Sequence, residues 1–116
     1  MKNPAQETQT LKKLVLKTLK DHKGINIVTL DVRKLTSVTD YMIICSGTSN
    51  RHVKTLADYV VTNAKAQHFR PFGVEGDKEN EWILVDLIDV VVHIMLVPVR
   101  TFYNLEKLWD VKAMEE

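Results

Sequence analysis

The chain has 116 residues, 27% of them charged, and a formal net charge of +1 at pH 7. A chain of this length forms one domain and buries about two-thirds of its unfolded surface, so it needs neither a metal nor a disulfide to fold. The near-neutral charge argues against a protein that wraps nucleic acid. The single cysteine, Cys45, lies in an apolar run and is expected to be a buried free thiol. The polar segment Met1–Thr10 shows no secretory signal. Together with the free thiol of Cys45, this predicts that the protein is located in the reducing cytoplasm.

The first third of the chain predicts one helix and two strands. Residues Met1–Gln6 are polar, contain a proline, and are expected to be disordered. Apolar residues then recur at helical spacing, which predicts a helix over Glu7–Lys20 with lysines on its outer face. The β-rich segments Ile25–Asp31 and Tyr41–Cys45 predict the first two strands, with a polar loop between them.

The middle of the chain carries the clearest amphipathic helix, with Thr48 or Ser49 as its N-cap. A short third strand is predicted over Pro71–Glu75, followed by a loop over Gly76–Asn80. The helix is indicated by apolar residues three or four apart: Val53, Leu56, Ala57, Val60, Val61 and Ala64.

The most apolar stretch, Glu81–Val97, predicts a hairpin around which the rest packs. Its strands are Trp82–Val85 and Val90–Leu96, joined by a turn over Asp86–Asp89. The second strand is apolar on both faces, which is typical of a central strand. A membrane span needs about 20 mostly apolar residues, and two aspartates interrupt this run. Pro98 ends the strand, and a final helix is predicted over Thr101–Lys112, with Trp109 on its apolar side.

This element order predicts an α/β fold over residues 1–116: one domain, with helices packed on a mixed five-stranded sheet. No domain linker or internal repeat interrupts it.

Candidate chemistry is sparse. The turn Ser46–His52 joins a strand to a helix and is open to two interpretations, an anion site or ordinary helix capping. It carries no Walker or dinucleotide-binding glycine pattern. Asp86 and Asp89 are three residues apart, a spacing that points side chains to opposite faces of a strand, whereas two-metal catalysis needs converging carboxylates. We therefore predict no metal, no cofactor and no catalytic residue.

The four histidines lack metal-ligand spacing, and His93, inside an apolar strand, is expected to be a hydrogen-bonded core residue. Interface chemistry is better represented. The residue types that dominate protein interfaces occur at Arg51, Trp82, Arg100, Tyr103 and Trp109. Of the two tryptophans, Trp82 is the surface candidate and Trp109 is expected in the core. The lysines between Lys12 and Lys23 are interpreted as a solvated helix face, with RNA binding as the alternative.

Several segments together resemble the ribosomal silencing factor family, also called the Iojap family, from about Leu11 to Trp109. Ile88 departs from the resemblance, because the family more often has glycine there. The segments are Thr39–Ser49, Arg51–Val53, Val74–Gly76, Trp82–Asp86, Asp89–His93 and Tyr103–Trp109.

The resemblance implies a fold similar to nucleotidyltransferases without their catalytic carboxylates. It also implies binding to the large ribosomal subunit through ribosomal protein number fourteen, which blocks joining of the small subunit and represses translation when nutrients are scarce. No membrane and no small-molecule substrate are implied, and a homodimer is possible. Expected partner contacts are Glu75, Trp82, Asp86 and Tyr103. The alternative function is a nucleotide-binding or nucleotidyltransferase-like enzyme that uses the Ser46–Ser49 turn.

Overall fold

A computed structural model describes residues 4–76, 78–108 and 114–115. They form one six-stranded sheet with helices on both faces, in the strand order β3-β4-β5-β2-β1-β6. In chain order the elements are α1 (Pro4–Asp21), β1 (Ile25–Asp31), β2 (Tyr41–Gly47), α2 (Asn50–Ala66), β3 (Gly73–Gly76), β4 (Trp82–Asp86), β5 (Val90–Leu96), α3 (Val97–Tyr103), α4 (Leu105–Leu108) and β6 (Met114–Glu115).

The centre of the sheet is the parallel pair β2 and β5, aligned from Tyr41 opposite Val90 to Gly47 opposite Leu96. Every residue of β2 is buried. Strands covered on both faces are expected to be largely apolar, which accounts for the apolar residues Tyr41–Cys45 of β2 and Val90–Val92 of β5. The remaining pairs are antiparallel. A parallel pair requires a crossover connection, and α2 with β3 and β4 supplies it.

Helices α1 and α2 cover one face of the sheet. Their buried residues recur three or four positions apart, so each helix presents one apolar stripe. These stripes pack on the sheet residues Ile43, Val92 and Ile94, each of which is completely buried. This is the larger of the two apolar clusters and forms the main core.

The opposite face is covered over only part of its width. Helix α3 contacts β5 and β2 there. Beyond it the residues of β4 on this side are only half-buried. The smaller apolar cluster on this face comprises Val28, Leu30, Val32, Met42, Ile44 and Met95, with Trp82, Val99 and Leu105 packed against it.

The predicted α/β domain is confirmed, and all five predicted strands are present at their predicted places. The two-residue strand β6, paired with Val28 and Thr29 of β1, was not predicted. Helix α1 begins at Pro4, so residues 4–6 are helical although they were predicted to be disordered, and the rest of that prediction, Met1–Asn3, falls outside the described residues. Among the residues that the structure describes, no helix is both long and apolar enough to cross a membrane.

The final helix was also predicted wrongly. It begins at Val97, directly after β5, with Pro98 in its first turn, where proline is well tolerated. It ends at Asn104, whose left-handed conformation (φ 50°) breaks the predicted continuous helix into α3 and α4. Trp109, predicted to lie in the core, falls outside the described residues.

The hairpin turn between β4 and β5 contains a strained residue. Asp86 Oδ1 accepts a hydrogen bond of 2.8 Å from the Ile88 backbone N–H, as expected of an aspartate in a turn. Ile88 itself has φ 75°. A β-branched residue in this left-handed region is a genuine outlier, because its side chain crowds the backbone.

Ile88→Gly is expected to stabilise the fold. Relief of the left-handed strain, about 1–2 kcal/mol, outweighs the extra freedom that glycine gives the unfolded chain, about 0.4–1 kcal/mol. The free energy of unfolding, measured by urea denaturation, should rise by roughly 0.5–1 kcal/mol. The control Ile88→Val keeps both the branch and the strain and should gain nothing; an equal gain in both variants would contradict the strain argument.

Candidate functional site

The half-covered side of the sheet is the candidate site. Along β4 the residues alternate, with Ile83 and Val85 buried beneath α1 and α2, and the residues between them half-exposed on the other side. Glu75 of β3 lies opposite Leu84, and Val91 of β5 lies opposite Asp86. We call this surface the open face and define it by Glu75, Trp82, Leu84, Asp86 and Val91.

Aromatic side chains border the open face at the α3 end. The ring centroids of Trp82 and Tyr103 are 4.9 Å apart, and those of Tyr103 and Phe102 are 5.1 Å apart. Tyr103 is 54% exposed and Phe102 80% exposed. Apolar and aromatic area of this kind marks an interaction surface when it is contiguous. Of the four predicted contacts, Glu75, Trp82 and Asp86 therefore belong to the open face, with Glu75 at its outer edge, and Tyr103 borders it.

Trp82 is anchored from below by a buried histidine. Its indole Nε1–H donates to His93 Nδ1 over 3.0 Å. His93 is 7% exposed, and burial lowers the pKa of its imidazole to about 4, because desolvation disfavours the charged ring. This confirms the prediction of a hydrogen-bonded core histidine. That Trp82 is the hydrogen-bond partner of His93 was not predicted. The hairpin register sets Leu84 opposite His93, and Trp82 is two residues from Leu84 on the same side of β4.

The segment that forms the open face is acidic. Residues 75 to 89 contain six carboxylates (Glu75, Asp77, Glu79, Glu81, Asp86 and Asp89) and one lysine, Lys78. Asp86 belongs to the open face, whereas Asp89 Oδ2 accepts a hydrogen bond from Thr8 of α1 over 3.3 Å, on the opposite face. Within the described part of the chain, no cluster of three or more metal-ligating side chains could hold an ion. The two carboxylates therefore do not converge, as their spacing predicted.

The Ser46–His52 turn is a helix cap in which side chains accept from the backbone amides of Thr48 and His52. Ser49 Oγ accepts from the His52 N–H over 3.1 Å, which confirms Ser49 as the N-cap of α2. The Thr48 N–H donates to His52 Nδ1 over 2.9 Å. A side chain at Gly47 would come within 2.8 Å of Val53, so glycine is required by packing. These contacts account for the small residues of the turn without an anion.

Arg100, an interface candidate by residue type, is instead buried, at 9% exposure, and its side chain connects α3 to neighbouring strands. Its Nη1 donates to the Asn26 carbonyl over 2.6 Å and to Ser46 Oγ over 3.1 Å, and its Nε bonds Glu106 over 3.3 Å. It lines an open cavity of about 980 Å³ between α3 and the start of β1. Because these partners engage the guanidinium, Arg100 attaches α3 to the sheet and is not part of the open face.

Cys45 is completely buried, which confirms the predicted free thiol. Burial raises the pKa of the Cys45 thiol to about 12, so the reactive thiolate is not formed near neutral pH. A nucleophilic role for Cys45 is therefore not supported.

Comparison with known proteins places the fold in a family. The model of the family "Ribosomal silencing factor during starvation" matches residues 5–116. The chain belongs to the ribosomal silencing factor family. A relative in Haemophilus influenzae, named a ribosomal silencing factor, is 48% identical over 99 residues, which cover 85% of this chain and 97% of that protein.

Two further matches extend the family likeness. A crystal structure of a Chromobacterium violaceum protein superimposes with a TM-score of 0.86 at 45% identity, covering 90% of this chain and 87% of that one. A mouse protein named "Mitochondrial assembly of ribosomal large subunit protein 1" is 32% identical, over 89% of this chain and 46% of that longer protein. The resemblance to silencing factors, carried by the quoted segments, is thereby confirmed.

The buried histidine of this family member predicts a specific acid sensitivity. The imidazole pKa is about 4 in the folded state against 6.5 ordinarily, so as the pH falls the unfolded chain takes up the proton first. The stability that neutral His93 contributes is present above pH 6.5 and is lost as the pH falls toward 4. The loss amounts to roughly 3 kcal/mol.

His93→Asn removes this titration while leaving every carboxylate in place. The free energy of unfolding is measured by urea denaturation at several pH values for both proteins. The value for the wild type minus the value for His93→Asn should fall as the pH is lowered from 6.5 to 4, because only the wild type contains the buried imidazole. A difference that stays constant over this range would contradict a neutral buried imidazole.

Proposed function

We propose that this protein is a cytoplasmic translational repressor that binds the large ribosomal subunit with its open face, through ribosomal protein number fourteen, and keeps the small subunit from joining. The observation that carries the proposal is a sheet face left half-covered by its own helices, with aromatic rings at one end and carboxylates around it. Membership of the silencing factor family supports the regulatory role. The name of the mouse relative, which refers to the large ribosomal subunit, supports the choice of subunit.

The chemistry of the open face suits a basic protein partner. Trp82 and Tyr103 supply apolar ring area at low cost in side-chain entropy, and Glu75 and Asp86 supply negative charge beside it. About 800 Å² buried on each partner is enough for a specific complex. We assign these four residues as the contacts, with the rings in apolar recesses and the carboxylates against cations.

Repression by occupancy needs no reacting group. The domain measures 42 × 32 × 23 Å, so it adds at least 23 Å of protein wherever it sits on the subunit surface. Bound next to the surface at which subunits meet, it would hold them apart by volume alone. The divergent carboxylates, the self-capped Ser46–Ser49 turn and the protonated Cys45 thiol all favour this non-enzymatic action.

The first test is co-sedimentation of the wild-type protein with isolated large subunits. We expect it to pellet with them and, when small subunits are added, to lower the yield of joined ribosomes. Isothermal titration with nucleoside triphosphates and magnesium examines the enzymatic alternative. Failure to pellet with large subunits would overturn the proposal, and heat at micromolar nucleotide would then favour the enzyme.

Trp82→Ala should weaken large-subunit binding by at least about thirtyfold, the loss typical of a central aromatic anchor. Tyr59→Ala is the matched control, because Tyr59 is an exposed aromatic (42%) on α2, on the opposite face of the sheet. It should bind like the wild type. Dissociation constants by sedimentation, with the folded state checked by circular dichroism, decide the outcome. Wild-type affinity in a folded Trp82→Ala protein would contradict the assignment of Trp82 as a contact.

Glu75→Gln with Asp86→Asn should slow association with the large subunit several-fold at low salt and make its rate less salt-dependent, because these charges steer a basic partner. The amide oxygen introduced by Asp86→Asn can still accept the Ile88 N–H, so the turn is retained. The charge-matched control is Asp58→Asn with Asp21→Asn, at exposed ion pairs on α2 and α1. Association rates of the two double variants are measured by stopped flow at several salt concentrations. Equal slowing of association in the control and in the open-face variant would show that net charge, and not the position of the charges on the open face, sets the rate.

A further inference from the structure

The indole of Trp82 has its one polar group turned into the protein. Trp82 Nε1–H is the only hydrogen-bonding atom of this side chain and acts as a donor only. It donates to His93 Nδ1, at 3.0 Å, with the two rings 5.8 Å apart between centroids and tilted by 54°. The ring is held on its other side by Tyr103. Its orientation on the open face is therefore fixed by one hydrogen bond and one ring contact.

The acceptor is held in the required protonation state by its surroundings. For Nδ1 to accept, it must carry no proton, so the proton of the neutral ring is on Nε2. His93 lies in the middle of β5, between Leu84 of β4 and Ile44 of β2 in the register of the sheet. These neighbours are apolar and oppose a charged imidazole. Two acids lie near His93 in the register: the half-buried Asp86, two residues from Leu84 along β4, and the exposed Glu75, on the far side of Leu84.

We infer that His93 is the positioning residue of the open face: it holds Trp82 through the indole N–H, so that Trp82 offers a partner apolar ring surface and no hydrogen-bond donor. The inference rests on the proposed function and deepens it, because it defines the chemistry of the recess that receives Trp82. That recess presents aliphatic carbon to the ring and contains no buried acceptor, since an acceptor there would be left unpaired on binding.

The inference gives the ring and the N–H of Trp82 different roles: the ring contacts the partner, and the N–H orients the ring. Trp82→Phe keeps an aromatic ring and removes the donor together with part of the ring area, so large-subunit binding should fall by no more than about fivefold, against at least about thirtyfold for Trp82→Ala. His93→Leu keeps the buried volume apolar and removes the acceptor. It should weaken binding by roughly five- to tenfold, the value of one lost hydrogen bond, because the indole is then free to turn.

The double variant Trp82→Phe with His93→Leu tests whether His93 acts through Trp82. If it does, adding His93→Leu in the Trp82→Phe background should cost no further affinity, whereas independent effects would multiply. His93→Asn, whose Oδ1 can accept in place of Nδ1, should restore binding relative to His93→Leu. If His93 had only a general structural role, His93→Leu would still weaken binding in the Trp82→Phe background, and His93→Asn would not restore binding.

A spectroscopic measurement follows the hydrogen bond directly. In a Trp109→Phe background only Trp82 remains as an indole. Its N–H proton resonance should move upfield and exchange faster with water in His93→Leu, and should stay near its wild-type position in His93→Asn. This readout needs no ribosome, so it decides the positioning role even if the proposed function fails.

The outcomes that overturn the inference are distinct from those that overturn the function. Absence of wild-type binding to large subunits refutes the proposed function. With wild-type binding intact, a folded Trp82→Phe protein as weak as Trp82→Ala would overturn the inference, because an aromatic ring without the N–H would then contribute nothing to binding. Wild-type affinity together with an unshifted indole resonance in His93→Leu would likewise refute it.

Discussion

The parallel pairing of β2 with β5 is the contact on which the rest of the structure depends. It joins two segments about fifty residues apart, Tyr41–Gly47 and Val90–Leu96, over their whole length. Both faces of this pair must be covered because both are apolar. Helices α1 and α2 cover one face, and α3, which follows β5 without a loop, covers part of the other. The crossover between the two strands then has to place β3 and β4 at the far edge of β5.

That placement creates the open face. Strand β4, between β3 and β5, is contacted by α3 where Tyr103 meets Trp82, and Ile83 and Val85 are buried on its helical side. Its other side is Trp82, Leu84 and Asp86, a mixture of aromatic, aliphatic and acidic groups. A monomer gains nothing in stability by leaving Tyr103 and Phe102 exposed there, which is why such a surface indicates a partner.

Several polar side chains hold this arrangement together. Arg100 attaches α3 to β1 and β2, and Ser49 with His52 closes the start of α2. His93 is paired with Trp82 although it is surrounded by apolar strands. Buried polar groups that are satisfied internally are not available for chemistry on a substrate. The half-covered side of the sheet, by contrast, leaves Trp82, Leu84 and Asp86 partly exposed.

The sequence by itself determined what depends on neighbours along the chain. The period of apolar residues located five strands and two helices, the aspartates located the hairpin turn, and the apolar surroundings of Cys45 and His93 showed that both are buried. Residue type and position also gave the four predicted contacts, which the structure brings together on or beside the open face: Glu75, Trp82, Asp86 and Tyr103. The predicted long final helix was wrong because its end depends on Asn104, for which a left-handed cap is one of several conformations.

Only the tertiary structure decided which of these residues share a surface. Strand order, register and the extent of α3 are settled by contacts between distant segments, and local periodicity carries no information about them. The hydrogen bond from Trp82 to His93 exists because the β4–β5 register sets the two residues one step apart on one side of the sheet. The addition of β6 beside β1 has the same origin, since two residues are too few to show a pattern but enough to complete an edge.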